Sequence, residues 1–432
     1  MDTDTRVLPG EFRMLVFGTN YSPEETGIAP YTTELTEHLA ALGAAVTVVT
    51  GMPYYPEWRI QEAYRGRRQI RETIRGVEVL RFRQHVPGRQ SAGQRALFEL
   101  SSLLNGFRAL RLPTPDVVLG IVPNLSNGVL ANLAARRYRV PSGILFQDMV
   151  GLAAAQSGIG GGRRVARVTR ALEARVARHA TAVAVVSEGF GAPLGAVGVP
   201  SERIVHVPNW SHAASPTLSR DETRARMGWT PTEQIVLHAG NMGLKQGLDQ
   251  VIDAARLAAR TRCRTRFVLM GGGSQRELLE AKAARLPNVS FLELQPSERF
   301  GEVLHAADAL LVTQRSSVGD MSLPSKLTSY FVAGQPVVAA VAESSATALT
   351  VRQSGAGLVV PAEQPELLLG ALARLAGDAD LRCRLSNAGP AYARDHLSRD
   401  AALARAVRFV TSLVAPSEQW HDATRVHAGG VR

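Results

Sequence analysis

Met14-Leu-Val-Phe-Gly18 and Ala45-Val-Thr-Val-Val-Thr50 bracket a segment, 31–42, in which apolar residues return at helical spacing until Gly43 stops them. The stretch reads strand, helix, strand. Two strands joined through a crossover helix run parallel, and units of this kind repeated along a chain build a doubly wound sheet with helices on both faces. Further strands are expected at 77–80, 117–121, 143–146 and 182–186, which completes one Rossmann-like domain.

Past Ile204-Val-His-Val-Pro-Asn-Trp210 the chain turns rich in Ser, Pro and Ala, the apolar period fades, and a fresh strand opens at Gln234-Ile-Val-Leu-His-Ala239. A second series follows: helix 248–259, strand 267–270, helix 277–285, strand 289–291, helix 300–307, strand 309–312. Leu323-Pro-Ser-Lys-Leu-Thr-Ser-Tyr-Phe-Val-Ala-Gly-Gln-Pro-Val-Val-Ala-Ala340 then reads as a loop, a short helix opened by Ser325-Lys326, a Gly334 stop and a buried strand. A helical pattern resumes from 366 to about 410. The expected fold is therefore α/β, two Rossmann-like doubly wound domains. The expected divisions are a leader at 1–12, an N-terminal domain at 13–212, a linker at 213–230, a C-terminal domain at 231–395, a last helix at 396–415 that packs back on the first domain, and a tail at 416–432.

A chain of 432 residues exceeds what one hydrophobic core usually serves, in keeping with two domains. No apolar run reaches the roughly 18 residues needed to span a bilayer; the nearest, 117–135, is broken by Pro123, Asn124, Asn127 and Asn132. The first ten residues lack the basic start and apolar core of a secretion signal, and the two cysteines, Cys263 and Cys383, have no metal-type spacing, so a reducing cytoplasm is expected. The net charge of +11, mostly arginine, suits anionic partners, although no nucleic-acid module or interleaving of aromatic and basic residues is present, which sets DNA and RNA aside. Basic residues concentrate at Arg65-Gly-Arg-Arg-Gln-Ile-Arg71 and at Arg163-Arg-Val-Ala-Arg167-Val-Thr-Arg170, where 163, 167 and 170 share a helical face. That face is either simply solvated or a peripheral contact with an anionic membrane.

Ligands of open α/β sheets collect beyond the carboxyl ends of strands, so the loops there hold the candidates. Gly27 precedes a helix and permits backbone to approach a ligand, or serves an ordinary Gly-Pro turn. The G-x-G-x-x-G dinucleotide fingerprint is missing, which speaks against a dehydrogenase. Asp148 directly follows a strand; it can take a proton from an attacking hydroxyl or cap a helix. In His238-Ala-Gly240-Asn241-Met-Gly243-Leu-Lys245-Gln246-Gly247, glycines lead from a strand to a helix and let N–H groups face an anion that Lys245 neutralises. Gly272 lies in the matching triple-glycine turn one unit later. Ser325 and Lys326 put a helix N-terminus and a full charge at one point. His238 stands just before a glycine turn; the remaining histidines are scattered and read as structural or solvated.

The order of these motifs, from Asn20-Tyr-Ser-Pro-Glu-Glu-Thr-Gly27 and Thr50-Gly-Met-Pro-Tyr-Tyr-Pro56 through Val207-Pro-Asn-Trp210 and Gly240-Asn-Met-Gly243 to Leu323-Pro-Ser-Lys326 with Ala333-Gly-Gln-Pro336, resembles the retaining glycosyltransferases of the GT-B architecture, family 4, in the exopolysaccharide and O-antigen branch. That resemblance implies two domains facing across a cleft and transfer of a sugar from a UDP- or GDP-sugar to a glycan or lipid-linked acceptor, with retention, no metal and no cofactor. It further implies that Gly27, Gly240, Asn241, Gly243, Lys245, Gly272, Asp320, Ser325 and Lys326 hold the donor, with Asp148 and Lys326 catalytic. Asn241 and Gln246 stand where much of the family has Arg and Lys. The paired glutamates common there are replaced by Met321 and Ser329; Asp320, beside the first, is the expected contact to a donor hydroxyl. A nucleotide-sugar epimerase of the same architecture and a non-catalytic nucleotide-sugar-binding protein are the alternatives. The expected location is the cytoplasm, or the inner face of the membrane if the basic helix attaches there.

Overall fold

The computed structural model describes residues 12–88, 91–149, 162–210, 216–261, 263–317 and 326–414. The chain divides into two compact units, residues 1–208 with 400–432 and residues 209–399. Each is built on one twisted α/β sheet.

In the first unit eight strands, β1 (Arg13–Phe17), β2 (Ala45–Gly51), β3 (Gln69–Ile74), β4 (Val77–Phe82), β5 (Val117–Val122), β6 (Ser142–Phe146), β7 (Ala182–Val185) and β8 (Ile204–His206), lie in the order β3-β4-β2-β1-β5-β6-β7-β8. All pairings are parallel except β3 with β4. Every residue of β5 is buried, as expected of a central strand covered by helices on both faces. The stretch 117–135 that looks longest and most apolar in sequence is therefore β5 followed by the first turns of the helix Leu125–Tyr138.

The antiparallel edge strand β3 is not among the strands expected from sequence. Its Gln-Ile-Arg-Glu-Thr-Ile carries only two apolar residues, and it joins β4 through Arg75-Gly76, both with positive φ, 44° and 83°, the two-residue turn that suits a right-twisted hairpin. The polar edge discourages pairing with another chain.

The second unit has six parallel strands, β9 (Gln234–Ala239), β10 (Thr265–Met270), β11 (Val289–Leu292), β12 (Ala309–Thr313), β13 (Val337–Val341) and β14 (Gly357–Pro361), ordered β11-β10-β9-β12-β13-β14. Strand order reverses between β1 and β5 in the first sheet and between β9 and β12 in the second. At such points the loops on either side part, and a crevice opens at the carboxyl ends.

Residues 213–230, expected to be linker, contain a helix, Arg220–Arg226, started by a capping box of Ser219 and Glu222. Its Arg224 is buried, 3.1 Å from Asp308, and donates to the carbonyls of Thr230 at 2.9 Å and Glu233 at 2.6 Å. Charged, helical and without an apolar stripe, the segment hides its anchoring in one side chain. The last helix, Arg399–Val414, falls with the first unit: Gly143 in β6 leaves space for Phe409 and Leu413, each of which would lie 2.9 Å from a Cβ placed there. Among the described residues, no helix is long and apolar enough to cross a membrane.

Candidate functional site

The strongest cluster gathers at the switch point of the second sheet. His238, the last residue but one of β9, is fully buried, and Lys326, the first residue of the helix Lys326–Ala333, brings Nζ to 3.1 Å from its Nε2 and 3.4 Å from its Nδ1. Burial alone lowers the Lys326 ammonium from 10.5 to about 7. Burial first, and the neighbouring Lys326 second, push His238 well below the usual histidine range, against the pull of the Asn241 and Leu311 carbonyls that its ring also meets. Near neutral pH the imidazole is thus uncharged, and the lysine sits close to its own midpoint.

Two glycine turns lie against this pair. Gly240, with φ of +117°, faces Lys326 so closely that a Cβ there would lie 3.8 Å from Nζ. The turn after β10 packs directly on it: a Cβ on Gly271 would come within 2.2 Å of the Gly240 carbonyl oxygen, and one on Gly273 within 2.5 Å of Asn241 Oδ1. The N–H of Met242 donates to the Gly272 carbonyl at 2.7 Å, which binds the two turns together. Glycine is required here because two backbones share the space of one.

Tyr330 fixes the position of the lysine. One turn along the same helix, its buried hydroxyl accepts the Ala239 N–H at 2.8 Å, so the helix carrying Lys326 is tied to the end of the strand carrying His238. Sequence reasoning passed over Tyr330; its spacing of four from Lys326 was the available signal. Lys245 follows on the short turn Leu244–Gln246, where Arg315 binds the backbone behind it, its N–H donating to the Lys245 carbonyl at 2.9 Å. No hydrogen bond or ion pair engages the Lys245 ammonium among the described residues. The Gly243 N–H, offered from sequence to an anion, already donates to Gln246 Oε1 at 3.0 Å. Asp320 and Ser325 lie outside the described residues.

The structure therefore brings Gly240, Asn241, Gly272 and Lys326 together with His238. Chemically this is a cation that none of the described residues supplies with a carboxylate, beside closely packed glycine backbone at the open end of a sheet. A buried ammonium of that kind gains most from an incoming anion.

In the first unit, Gly27 has φ of +68° and lies against Tyr55, whose ring would be 3.1 Å from a Cβ there. The loop is held by Glu24, unremarked in the sequence. Its buried carboxylate accepts the N–H groups of Tyr54 and Tyr55 at 2.8 Å each on one oxygen, and Asn20 Nδ2 at 3.0 Å and the Tyr21 N–H at 3.2 Å on the other. Burial raises its pKa, while all four donors pull the other way. The two motifs quoted above, after β1 and after β2, are thus joined by one side chain. Asp148 is half-buried just past β6 and accepts the Met149 N–H at 2.9 Å, a contact confined to its own turn.

Residues 26–210 match the model of the glycosyl transferase 4-like domain, and residues 219–392 that of the glycosyl transferases group 1. The chain is 33% identical over 375 residues to a putative colanic acid biosynthesis glycosyl transferase, WcaI, of Escherichia coli K12, covering 83% of this chain and 91% of that protein. Among solved structures, sucrose-phosphate synthase from Thermosynechococcus elongatus superposes with a TM-score of 0.72 at 16% identity, over 93% of this chain and 99% of that one. Anabaena Alr3699/HepE, solved in complex with UDP-glucose, gives 0.67 at 16% identity, over 93% of this chain and all of its own (100%). The two solved structures show the fold.

Proposed function

We propose, for a chain that belongs to the group 1 glycosyltransferases, that it moves a sugar from a UDP- or GDP-sugar to a lipid-linked glycan during synthesis of a bacterial surface polysaccharide, with retention at the anomeric carbon. The observation that carries this reading is the Lys326–His238 pair set against the glycines after β9 and β10. As the glycosidic bond of the donor breaks, negative charge builds on the departing diphosphate, and a cation already in place, with backbone N–H groups beside it, stabilises that charge without reorganising. Lys326 takes that role. The neutral His238 holds the lysine in place without competing for the phosphate, and Tyr330 fixes the helix that delivers it.

In this reading Asn241 and Lys245 border the diphosphate, Asp320 meets a hydroxyl of the donor sugar, and Asp148 contacts the acceptor. The nucleotide sugar is substrate, not cofactor, and protein cations meet the developing charge without a metal. HepE, whose solved complex holds UDP-glucose, supports a uridine donor. The protein works at the cytoplasmic side, touching the inner face of the membrane through the basic helix Gly162–His179.

Thermal stabilisation by UDP, GDP, CMP, TDP and NAD tests the donor site, since a ligand that binds only the folded state raises the melting temperature by mass action. A rise with UDP or GDP that disappears in Lys326→Ala is expected. A response to NAD alone, or an undiminished response in Lys326→Ala, overturns the assignment.

A further inference from the structure

On the first unit a groove of about 650 Å³ opens at the carboxyl ends of β2 and β4, lined among others by Trp58, Arg59, Tyr64, Arg65, Arg83 and His85. None of its lining residues is acidic. Among the described residues no ion pair engages Arg59 or Arg83, and Arg65 meets the exposed Glu62 at 3.7 Å and donates to the Ile60 carbonyl at 3.4 Å. Three exposed arginines bordering one hollow, with no carboxylate among its walls, make a positive surface that attracts an anion.

The walls are held from behind. Gln84, buried, accepts the Met52 N–H at 2.8 Å and donates to the Met52 carbonyl at 2.9 Å, which ties the exit of β4 to the exit of β2. His85 is fixed at both ends, its N–H on Ser101 Oγ at 2.8 Å and its Nε2 2.6 Å from Gln94 Oε1. Arg81, buried beneath, lies over the Tyr64 ring at 5.3 Å.

Trp58 is the unusual residue. Its φ is +53°, a left-handed conformation that costs a bulky residue free energy and that persists where the surroundings enforce it, most often at functional sites. The rings of Tyr54 at 5.4 Å and Tyr55 at 6.1 Å hold the indole at the groove. A flat aromatic face receives the C–H face of a sugar ring, and arginine pairs with carboxylate or phosphate in a two-pronged geometry.

We infer that this groove is an acceptor subsite for a saccharide bearing an oxyanion, with Trp58 stacking on the ring and Arg59, Arg65 and Arg83 pairing with the charge. The inference rests on the transferase reading and adds a substrate class to it: the acceptor is acidic, through a uronate or a sugar phosphate.

Binding measured by calorimetry on the full chain, without donor, tests it with three probes: a glucuronic-acid-terminated disaccharide, glucose 1-phosphate and the neutral glucose disaccharide. At least one acidic probe is expected to bind about tenfold or more tighter than the neutral one, as the loss of a charge-assisted contact implies. That advantage should vanish in Arg59→Ala/Arg83→Ala, whereas Trp58→Gly, a change that keeps the left-handed backbone accessible, should weaken the acidic and neutral saccharides alike. Preference for the disaccharide names uronate as the source of charge, and preference for glucose 1-phosphate names phosphate. Equal binding of acidic and neutral probes, binding of neither, or variants that bind like wild type overturns the inference. UDP stabilisation, read on the same samples, reports the donor site separately, so failure of one reading is not mistaken for failure of the other.

Discussion

At the scale of the residue, Lys326 sets the behaviour of the second unit. An ammonium whose midpoint burial has moved to about 7 is half discharged in the free protein near neutrality. A bound diphosphate restores its preference for the proton, so the midpoint rises again on binding. Between pH 7 and the bound midpoint, UDP binding should therefore take up protons, and affinity should fall as pH rises above 7. Calorimetry at pH 8 in two buffers of different ionisation enthalpy reads this as a buffer-dependent heat, up to about one proton per site. Lys326→Met should show none; equal heats in the wild type would remove the lysine from the site. Sequence placed Lys326 at the head of a helix, but could not show that burial would lower its charge, nor that it would sit against a histidine 88 positions earlier in the chain. His238 stood out only because it preceded a glycine turn.

Among elements, the junction between the helix Lys326–Ala333 and β9 governs whether that lysine is delivered. Tyr330→Phe removes the hydroxyl that accepts the Ala239 N–H and leaves a buried donor unpaired. The expected cost is about 1–2 kcal/mol, a drop of a few degrees in melting temperature, with weaker UDP stabilisation at saturating nucleotide. A loss of stability with full nucleotide response would make Tyr330 structural only. The doubly wound architecture was legible because parallel strands buried on both faces read as short apolar runs, as at Val117–Val122 and Gln234–Ala239. What escaped were elements whose sequences lack that signature. β3 sets two isoleucines among polar and charged residues and pairs with the strand that directly follows it, whereas the helix Arg220–Arg226 is nearly all polar and is held by Asp308, far along the chain. In the candidate site the glycines could be read because only glycine tolerates such close approach. The buried clamps Glu24, Gln84 and Arg81 could not, since their importance lies in what surrounds them.

For the whole molecule, charge is unevenly placed. The helix Gly162–His179 exposes Val165, Val168 and Leu172, the middle one to 68%, beside Arg167 and Arg170. An apolar stripe with basic flanks suits the headgroup region of an anionic bilayer. Replacing Arg163, Arg164, Arg167 and Arg170 together by Glu should release the protein from phosphatidylglycerol vesicles at physiological salt while UDP stabilisation persists; wild type that never sediments with such vesicles refutes the contact. The helix Arg399–Val414 carries a different lesson, since it fills the space that Gly143 leaves on the first sheet although all of residues 209–399 intervene. On a ribosome, the second unit is fully synthesised first, while the first unit waits for the end of the chain with a gap on its sheet. Until Phe409 and Leu413 emerge, that apolar strip faces water, and a nascent chain stalled or cut before residue 399 carries a sticky, unfinished sheet that chaperones and proteases can recognise.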